Sequence, residues 1–444
     1  MEKTKYTYRI VARIVLEAET PLAVGSGEHN IITDSLVATD ANGMPYIPGS
    51  SIAGAMRHAM EQREDTDDLF GFQEKSKGAG SRIIFSDALM VGEEGKVLDG
   101  IQDLPHSEFY ESYRHLPVRQ HVRIGHRGVH EDMGKFDEQV TFKGTRFVFD
   151  MELVSEGKDE DTRKFSAILA DFASGHIRFG GGTRKGFGRM RVVECLWRAY
   201  DLMTPADLEE YLDKPSRLDS PWKPSSTKDM PEGTDTKDYW AIYELELQPR
   251  DFFLFSSGLD DEDADMTPVI ETIVEWQDGK PRLVRDVCLI PASSVKGALS
   301  HQVAYHWFKK KKMFVDKDNN IWDNEAVKSL FGEAGDNEKD ISTGNVMFDD
   351  LFFSGLPTKT IPHVAIDRFT GGELHGALFS EKVIVGKDSV PFKTKFWVKR
   401  QILADDDIKY AWETALSDLC NGLLPLGGGV NRGNGVFTGS YTIK

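Results

Sequence analysis

Two glycine loops carry the densest chemical signal in the sequence: GGGTRKGFG from Gly180 and GGGVNRGNG from Gly427, both of the form Gly-Gly-Gly-x-x-x-Gly-x-Gly. With no β-carbon in the way, such a loop lets backbone amides approach a phosphate, or lets a helix pack directly on a sheet. Spacing alone leaves both readings open. Around the first loop stand Arg178, Arg184, Lys185, Arg189 and Arg191, in a fourteen-residue stretch without an acidic side chain. The second loop carries Asn431 and Arg432. Each follows a helical pattern and precedes a strand, whereas dinucleotide and Walker loops follow a strand and open a helix. In the first of these readings the loop would give sequence-independent contact with a phosphate backbone.

A second feature points the same way. Ser50-Ser51 and Ser293-Ser294 stand at the head of the helix-compatible stretches AGAMRHAMEQ and KGALSHQVAYHWF, where a serine can accept the free first-turn amides as N-cap. A helix start offers its remaining amides to an anion. His121, His126 and His130 have metal-ligating side chains, but their setting reads as a polar hairpin. Lys309 to Lys312 fits an RNA contact and a solvated helix end equally well.

The elements that must position these residues occur twice. Ile47-Pro48-Gly49-Ser50-Ser51 returns as Ile290-Pro291-Ala292-Ser293-Ser294, 243 residues on; Leu69-Phe70-Gly71 returns at Leu330 after 261, His121-Val122 at His363 after 242, and the glycine triplet after 247. Four landmarks in one order, with loop-sized differences in offset, make the chain two copies of one unit. Each copy opens with a period-two strand, around Tyr6 to Val15 and Tyr239 to Leu247. A late helix follows, with Phe165, Ile168, Leu169 and Phe172 at helical spacing in the first copy and Trp412, Leu416, Leu419 and Leu423 in the second. Closing strands run from Met190 to Leu196 and from Val436 to Ile443. This order predicts an α+β fold of two tandem ferredoxin-like, RRM-like domains, residues 1–212 and 239–444, with hairpin and loop insertions. Residues 213–238, rich in Pro, Ser, Thr and charge, read as the linker.

Composition narrows the classes. The 444 residues exceed one ordinary domain, and 54 Lys+Arg against 72 Asp+Glu give a net charge of −18, which argues against nonspecific coating of duplex DNA. Any nucleic-acid site is therefore a local basic surface. Cys195, Cys288 and Cys420 form no Cys-x-x-Cys pair, so neither a zinc site nor a disulfide framework is expected. The opening residues interrupt their apolar pattern with charge, and the expectation is a cytoplasmic protein without a membrane segment.

In combination these strings resemble the RAMP superfamily of CRISPR-associated proteins, and among them the backbone subunit of type III effector complexes. The resemblance rests on Val24-Gly25-Ser26-Gly27, on Ile32-Thr33-Asp34-Ser35-Leu36-Val37, on Pro45 to Arg57, on Ile290 to Leu299, on Val364 to Gly371 and on the glycine loops. Val364 to Gly371 looks like the base of the family's thumb-like hairpin. The resemblance implies a fused double subunit that lines CRISPR guide RNA, meets complementary target RNA and other type III subunits, and serves antiviral defence. It places RNA contacts at Ser50, Ser51, Arg57, Gly180, Gly181, Gly182, Arg184, Lys185, Ser293, Ser294, Lys296, Arg368, Gly427, Gly428, Gly429, Asn431 and Arg432. Ala53 stands where the family commonly has a lysine and where the second copy keeps Lys296. His126 and Arg127 lie on the first thumb.

The resemblance also places at Asp34 the aspartate required for metal-dependent cleavage of target RNA. Asp265, seven residues after Gly258 as Asp34 is after Gly27, is its counterpart, although one extra residue precedes the position matching Val37 and the surrounding acidic run also reads as a solvated loop. The implied cofactor is Mg²⁺ or another divalent cation, bound through these two aspartates once target RNA is present. Two alternatives remain at this stage: a noncatalytic scaffold subunit that binds guide RNA and partner proteins, and a guide-processing ribonuclease with a histidine base, for which the histidines offer no constellation.

Overall fold

The computed structural model describes residues 6–28, 33–60, 65–74, 77–125, 130–157, 159–233, 239–313, 324–333, 342–387, 389 and 391–444. In the first copy the opening strand (Tyr8–Ala18) is central. It pairs antiparallel with Arg146–Ser155 on one side and with the closing strand (Met190–Asp201) on the other. The short strands Ile83–Phe85 and Ala88–Met90 extend the sheet beyond Arg146–Ser155. The second copy repeats the order, with Trp240–Pro249 between Phe392–Lys399 and Phe437–Ile443, and Val346–Met347 on the far side of Phe392–Lys399.

One face of each sheet carries two helices. Ile52 and Met56 of the helix Gly49–Ala59 and Phe165, Ile168, Leu169 and Phe172 of Asp159–Ser174 pack with Ile10, Ala12, Ile14 and Leu16 in one core. The second core joins Val295, Leu299 and Val303 of Ala292–Lys310 to Trp412, Leu416 and Leu419 of Asp406–Cys420. Leu423 departs from its expected core position. The helix ends at Cys420, and Leu423 is exposed in the loop beyond.

Both double serines lie within the first helical turn. The capping position is Pro48 in one copy and Pro291 in the other, and neither helix has a side-chain cap bond from it. Instead the first amide of each helix donates to a carboxylate from across the copy: Gly49 N to Asp87 at 2.8 Å and Ala292 N to Asp350 at 2.7 Å. A carboxylate on a first-turn amide answers both the unpaired N–H and the positive helix end.

The other face of the first sheet is covered by the segment expected to be a free linker. After the helix Pro205–Leu212, the chain runs back across the sheet, where Arg13 donates to the carbonyls of Pro215, Arg217 and Ser220 while its Nε holds Asp150 at 2.8 Å. Trp222 buries its ring against Val11 and Tyr200, and Leu218 packs with Val91, Val97 and Val148. The segment thus completes the first copy through residue 229, where the Asp229 carbonyl accepts from the indole of Trp197. Residues 234–238 lie outside the described residues. Among the described residues no helix is long and apolar enough to cross a membrane.

Trp222→Ala should leave a cavity beneath the first sheet. The expected loss is about 3–5 kcal/mol, measured by denaturant unfolding followed through the fluorescence of the remaining tryptophans.

Candidate nucleic-acid interface

Both glycine loops have the same construction. Gly181 N donates to the Ala23 carbonyl at 2.6 Å and Gly428 N to the Leu254 carbonyl at 2.7 Å. At Gly180 and Gly427 the backbone is left-handed, and an added β-carbon would lie 2.5 and 2.4 Å from those same carbonyls, so no other residue fits. The close-packing reading of the glycines therefore holds for the first part of each loop. The amide of the middle glycine is committed to the protein, and the cations Arg184, Lys185 and Arg432 stand in the remainder of the loops.

Those cations divide into two groups. Arg178, Arg184 and Arg189 of the first copy point into the second. Arg178 is paired with Asp349 at 2.7 Å and donates to the Phe348 carbonyl at 3.0 Å; Arg189 reaches the same carboxylate at 2.7 Å. Both guanidinium groups lie over the Trp397 ring, 5.3 and 5.1 Å from its centroid. Arg184 Nε donates to the Gly344 carbonyl at 2.7 Å, and burial, reinforced by Arg178, pulls its guanidinium down to about 10. Nearby, Arg119 grips Glu271 with two bonds of 2.5 and 2.8 Å and also holds Asp350, the carboxylate that receives the first amide of the helix Ala292–Lys310. The basic rim that reads as a phosphate grip is, in Arg178, Arg184 and Arg189, the junction between the copies. Asp87 and Asp350 were not picked out as site residues, although the repeat Phe85-Ser86-Asp87 and Phe348-Asp349-Asp350 could have revealed them.

Lys185 and Arg432, equivalent in the two loops, form the second group. Lys185 Nζ is 3.7 Å from Glu138 and 4.3 Å from the Phe136 centroid; Arg432 pairs with Glu381 and lies over Phe379. Each glutamate also faces a histidine, His121 at 2.7 Å and His363 at 3.1 Å, and each histidine stacks on the same phenylalanine. His121 is therefore a carboxylate partner. His126 lies outside the described residues, as does the His130 side chain, and among the described residues no cluster of three or more His, Cys, Asp or Glu could hold a metal. Arg127 also lies outside the described residues.

These clasps stand on two long hairpins, Val118–Ile124 with His130–Gln139 and Thr358–Ile366 with Glu373–Val385. Val364 to Gly371 forms the far end of the second hairpin, not its base. Asp367 caps the turn there by accepting the Phe369 and Thr370 amides, and Arg368 is exposed on it. The first hairpin lies over the second copy, where its Ile124 carbonyl meets His301 at 3.1 Å.

Asp34 and Asp265 are exposed beside the return strands of these hairpins. Asp34 Oδ2 accepts the Asp137 amide at 3.0 Å; Asp265 Oδ2 accepts the Ser380 amide at 2.7 Å and its hydroxyl at 3.0 Å. The Ser380 amide and hydroxyl hold the Asp265 carboxyl below the usual carboxylate range. Ser35 bridges Glu138 as Met266 bridges Glu381, and Gly25 pairs with Val37 as Ser256 pairs with Pro268. Pro268 rather than Val269 thus matches Val37, so there is no extra residue and the two aspartates are structural equivalents. The neighbouring Asp261 and Asp263 are paired with Lys382.

The remaining expected contacts are dispersed. Arg57 donates to the Gly71 carbonyl at 2.7 Å and to Asp67 at 2.9 Å. Ser50, Ser294, Gly429 and Asn431 lie at or near the surface. Lys296 donates to the Phe331 carbonyl at 3.3 Å beside Arg184 and Lys185, and burial together with these two cations brings its amine down to about 8. Lys310 and Lys311 pair with Asp407, which favours the helix-end reading of the lysine run.

A family model of the RAMP superfamily matches residues 15–191 and, a second time, residues 271–438. The chain belongs to the RAMP superfamily. It is a double RAMP copy and a CRISPR-associated RNA-binding subunit, and RAMP proteins generally bind CRISPR RNA within multi-subunit complexes. No curated protein matches the chain. Each RAMP match spans its copy's helix start, hairpin and glycine loop, so both clasps and Asp34 fall within matched sequence, while Asp265 lies six residues before the second match begins.

The junction should be sensitive to the loss of one carboxylate. Asp349→Ala strands the buried Arg178 without its counter-ion, a change that costs about 3–5 kcal/mol, and denaturant unfolding should show it, whereas Asp263→Ala on the exposed acidic loop should leave stability unchanged.

Proposed function

We propose that this double RAMP chain is a backbone subunit of a type III CRISPR effector complex, with two ferredoxin-like domains that line guide RNA and cleave the paired target RNA once per copy. In both sheets the closing strand, the opening strand, the penultimate strand and a short strand that follows the first helix (Ala88–Met90 or Val346–Met347) lie in that order, which supports the ferredoxin-like assignment. One observation carries the catalytic part. Two exposed aspartates occupy equivalent places, each oriented through one carboxylate oxygen by an amide of the adjacent hairpin.

The donor set suits a hydrated Mg²⁺, which needs only one or two protein oxygens and fills the rest of its shell with water and RNA phosphate. Asp34 and Asp265 would each hold it through the carboxylate, where it supplies positive charge for the developing negative charge on the scissile phosphate. What the chain itself does is orientation. The Asp137 and Ser380 amides fix the carboxylates, and the hairpins fix the strand that bears those amides.

Guide contact would be shared between surfaces. The second hairpin ends in Ile366, Phe369, Leu374 and Leu378, with Phe369 94% exposed, an apolar tip suited to lie against unstacked bases. At the copy junction, Lys296, Lys185 and Arg184 converge by the glycine loop, where a backbone phosphate would relieve their mutual repulsion. The scaffold alternative draws on the net charge of −18 and on arginines committed to protein contacts, and it is the outcome if the aspartates prove silent.

In the assembled complex, Asp34→Asn and Asp265→Asn should each abolish one target cut and leave target binding intact; gel analysis of end-labelled target reads both. Wild-type cutting at every position by both variants would leave the scaffold reading in place.

A second test uses the depressed amine. Above about pH 8 the Lys296 side chain is neutral in the free protein, and a bound phosphate would restore its proton, so guide affinity should fall as pH rises through about 8 with proton uptake on binding. Lys296→Gln should remove that part of the pH dependence in titrations of guide RNA in two buffers of different ionisation enthalpy.

A further inference from the structure

The same four side-chain positions recur in both copies: His121, Phe136, Glu138 and Lys185 in the first, His363, Phe379, Glu381 and Arg432 in the second. They come from three separate pieces of chain, namely the outgoing hairpin strand, the returning strand and the glycine loop. At the centre is a carboxylate with little or no exposure, 12% for the Glu138 side chain and 0% for Glu381. Burying a carboxylate costs several kcal/mol unless it is paired, and apolar side chains would tie three strands together at lower cost. The recurrence of a charged centre therefore asks for a role that packing alone does not fill.

The neighbouring bonds suggest one. On the returning strand, the residue immediately before each glutamate, Asp137 or Ser380, donates its amide to the aspartate of the same copy. Each glutamate itself bridges the residue after that aspartate, Ser35 or Met266. The side chains of Asp137 and Ser380 differ, so what recurs is the placement of a backbone N–H. A buried carboxylate fixed from both sides holds the strand that carries this N–H against the aspartate.

We infer that Glu138 and Glu381 are positioning residues, which lock the hairpin return strand to the glycine loop so that the Asp137 and Ser380 amides aim the Asp34 and Asp265 carboxylates. The inference rests on the cleavage reading above for its functional consequence, but its structural content, the link from glutamate to amide, can be measured without any cleavage. It also gives Lys185 and Arg432 a task in the protein distinct from a phosphate grip.

The test is Glu381→Gln, a change that keeps the shape and removes the charge. In the full chain without RNA, hydrogen exchange at the Ser380 amide should accelerate while exchange at Asp137 stays at its wild-type rate. In the assembled complex, the cut lost in Asp265→Asn should slow by about tenfold or more, the effect usual for a partner behind a metal-binding carboxylate. The Mg²⁺ concentration for half-maximal rate at that cut should rise, with target affinity and the other cut unchanged. Glu138→Gln should give the mirror result at Asp137 and at the Asp34 cut, and it serves if Glu381→Gln does not fold. Unchanged Ser380 exchange together with unchanged Mg²⁺ dependence overturns the inference even if Asp265→Asn is inactive. If Asp265→Asn cuts normally, the cleavage reading fails by itself, and the exchange measurement alone decides the inference: faster exchange at Ser380 supports the lock and an unchanged rate overturns it.

Discussion

On the glycine-loop side of the junction between the two copies, guanidinium groups are matched to carboxylates. Arg119, Arg178 and Arg189 come from the first copy, Glu271, Asp349 and Asp350 from the second, and none of these charges could be left alone in so dry a place. Their pairing sets how the copies meet. Because Asp350 also takes the first amide of the helix Ala292–Lys310, the network binds the glycine-loop side of one copy to the helix start of the other. An added β-carbon at Gly186 would come within 2.6 Å of both Ala292 and Asp350, so the approach is close enough to require glycine.

That constraint explains why one stretch of sequence does two things. A loop with five cations and no acid within fourteen residues looks uniformly like an anion surface. In three dimensions its members face different neighbours. Arg178 and Arg189 turn toward Asp349 and Trp397, Arg184 toward a carbonyl, and Lys185 toward a hairpin glutamate, while Arg191 pairs with Glu17 at 2.8 Å. The field a phosphate would meet is therefore set by what those partners leave uncompensated, and Lys296 stands close enough to Arg184 and Lys185 for their charge to lower its affinity for a proton.

Much of this was legible in the sequence. The repeat, the opening and closing strands and the helices around Phe165 and Trp412 follow from periodicity, because burial on a helical stripe or an alternating strand leaves a local trace. The equivalence of Gly180 and Gly427 was legible for the same reason. What was not legible depends on contacts between distant residues. Nothing local to Ser50 or Ser293 shows that Asp87 and Asp350 claim the helix amides, and nothing local to Arg184 shows Gly344 beside it. The register of Asp265 was obscured because Pro268 takes the pairing position of Val37, and the pairing that settles it is a property of the backbone. The stretch after Asp213 has the composition of a tether, yet Trp222, Leu218 and the carbonyls held by Arg13 fasten it to the first sheet.

The junction is also one-sided. At the glycine-loop offset, the second copy has Pro425, Asn431 and Val436 where the first has Arg178, Arg184 and Arg189, and Ile361 answers Arg119 on the hairpin. The first copy in turn has Ser86 where the second has Asp349. Beyond Gly433, the counterpart of Gly186, an added β-carbon would meet nothing within 4 Å. Among the described residues, the two copies thus present unlike side chains at the positions of Arg119, Arg178, Arg184, Arg189 and Asp349, although Asp87 keeps the carboxylate of Asp350. End-to-end contact with another chain could not reproduce the pairs of Arg178 and Arg189 with Asp349 that help join the two copies.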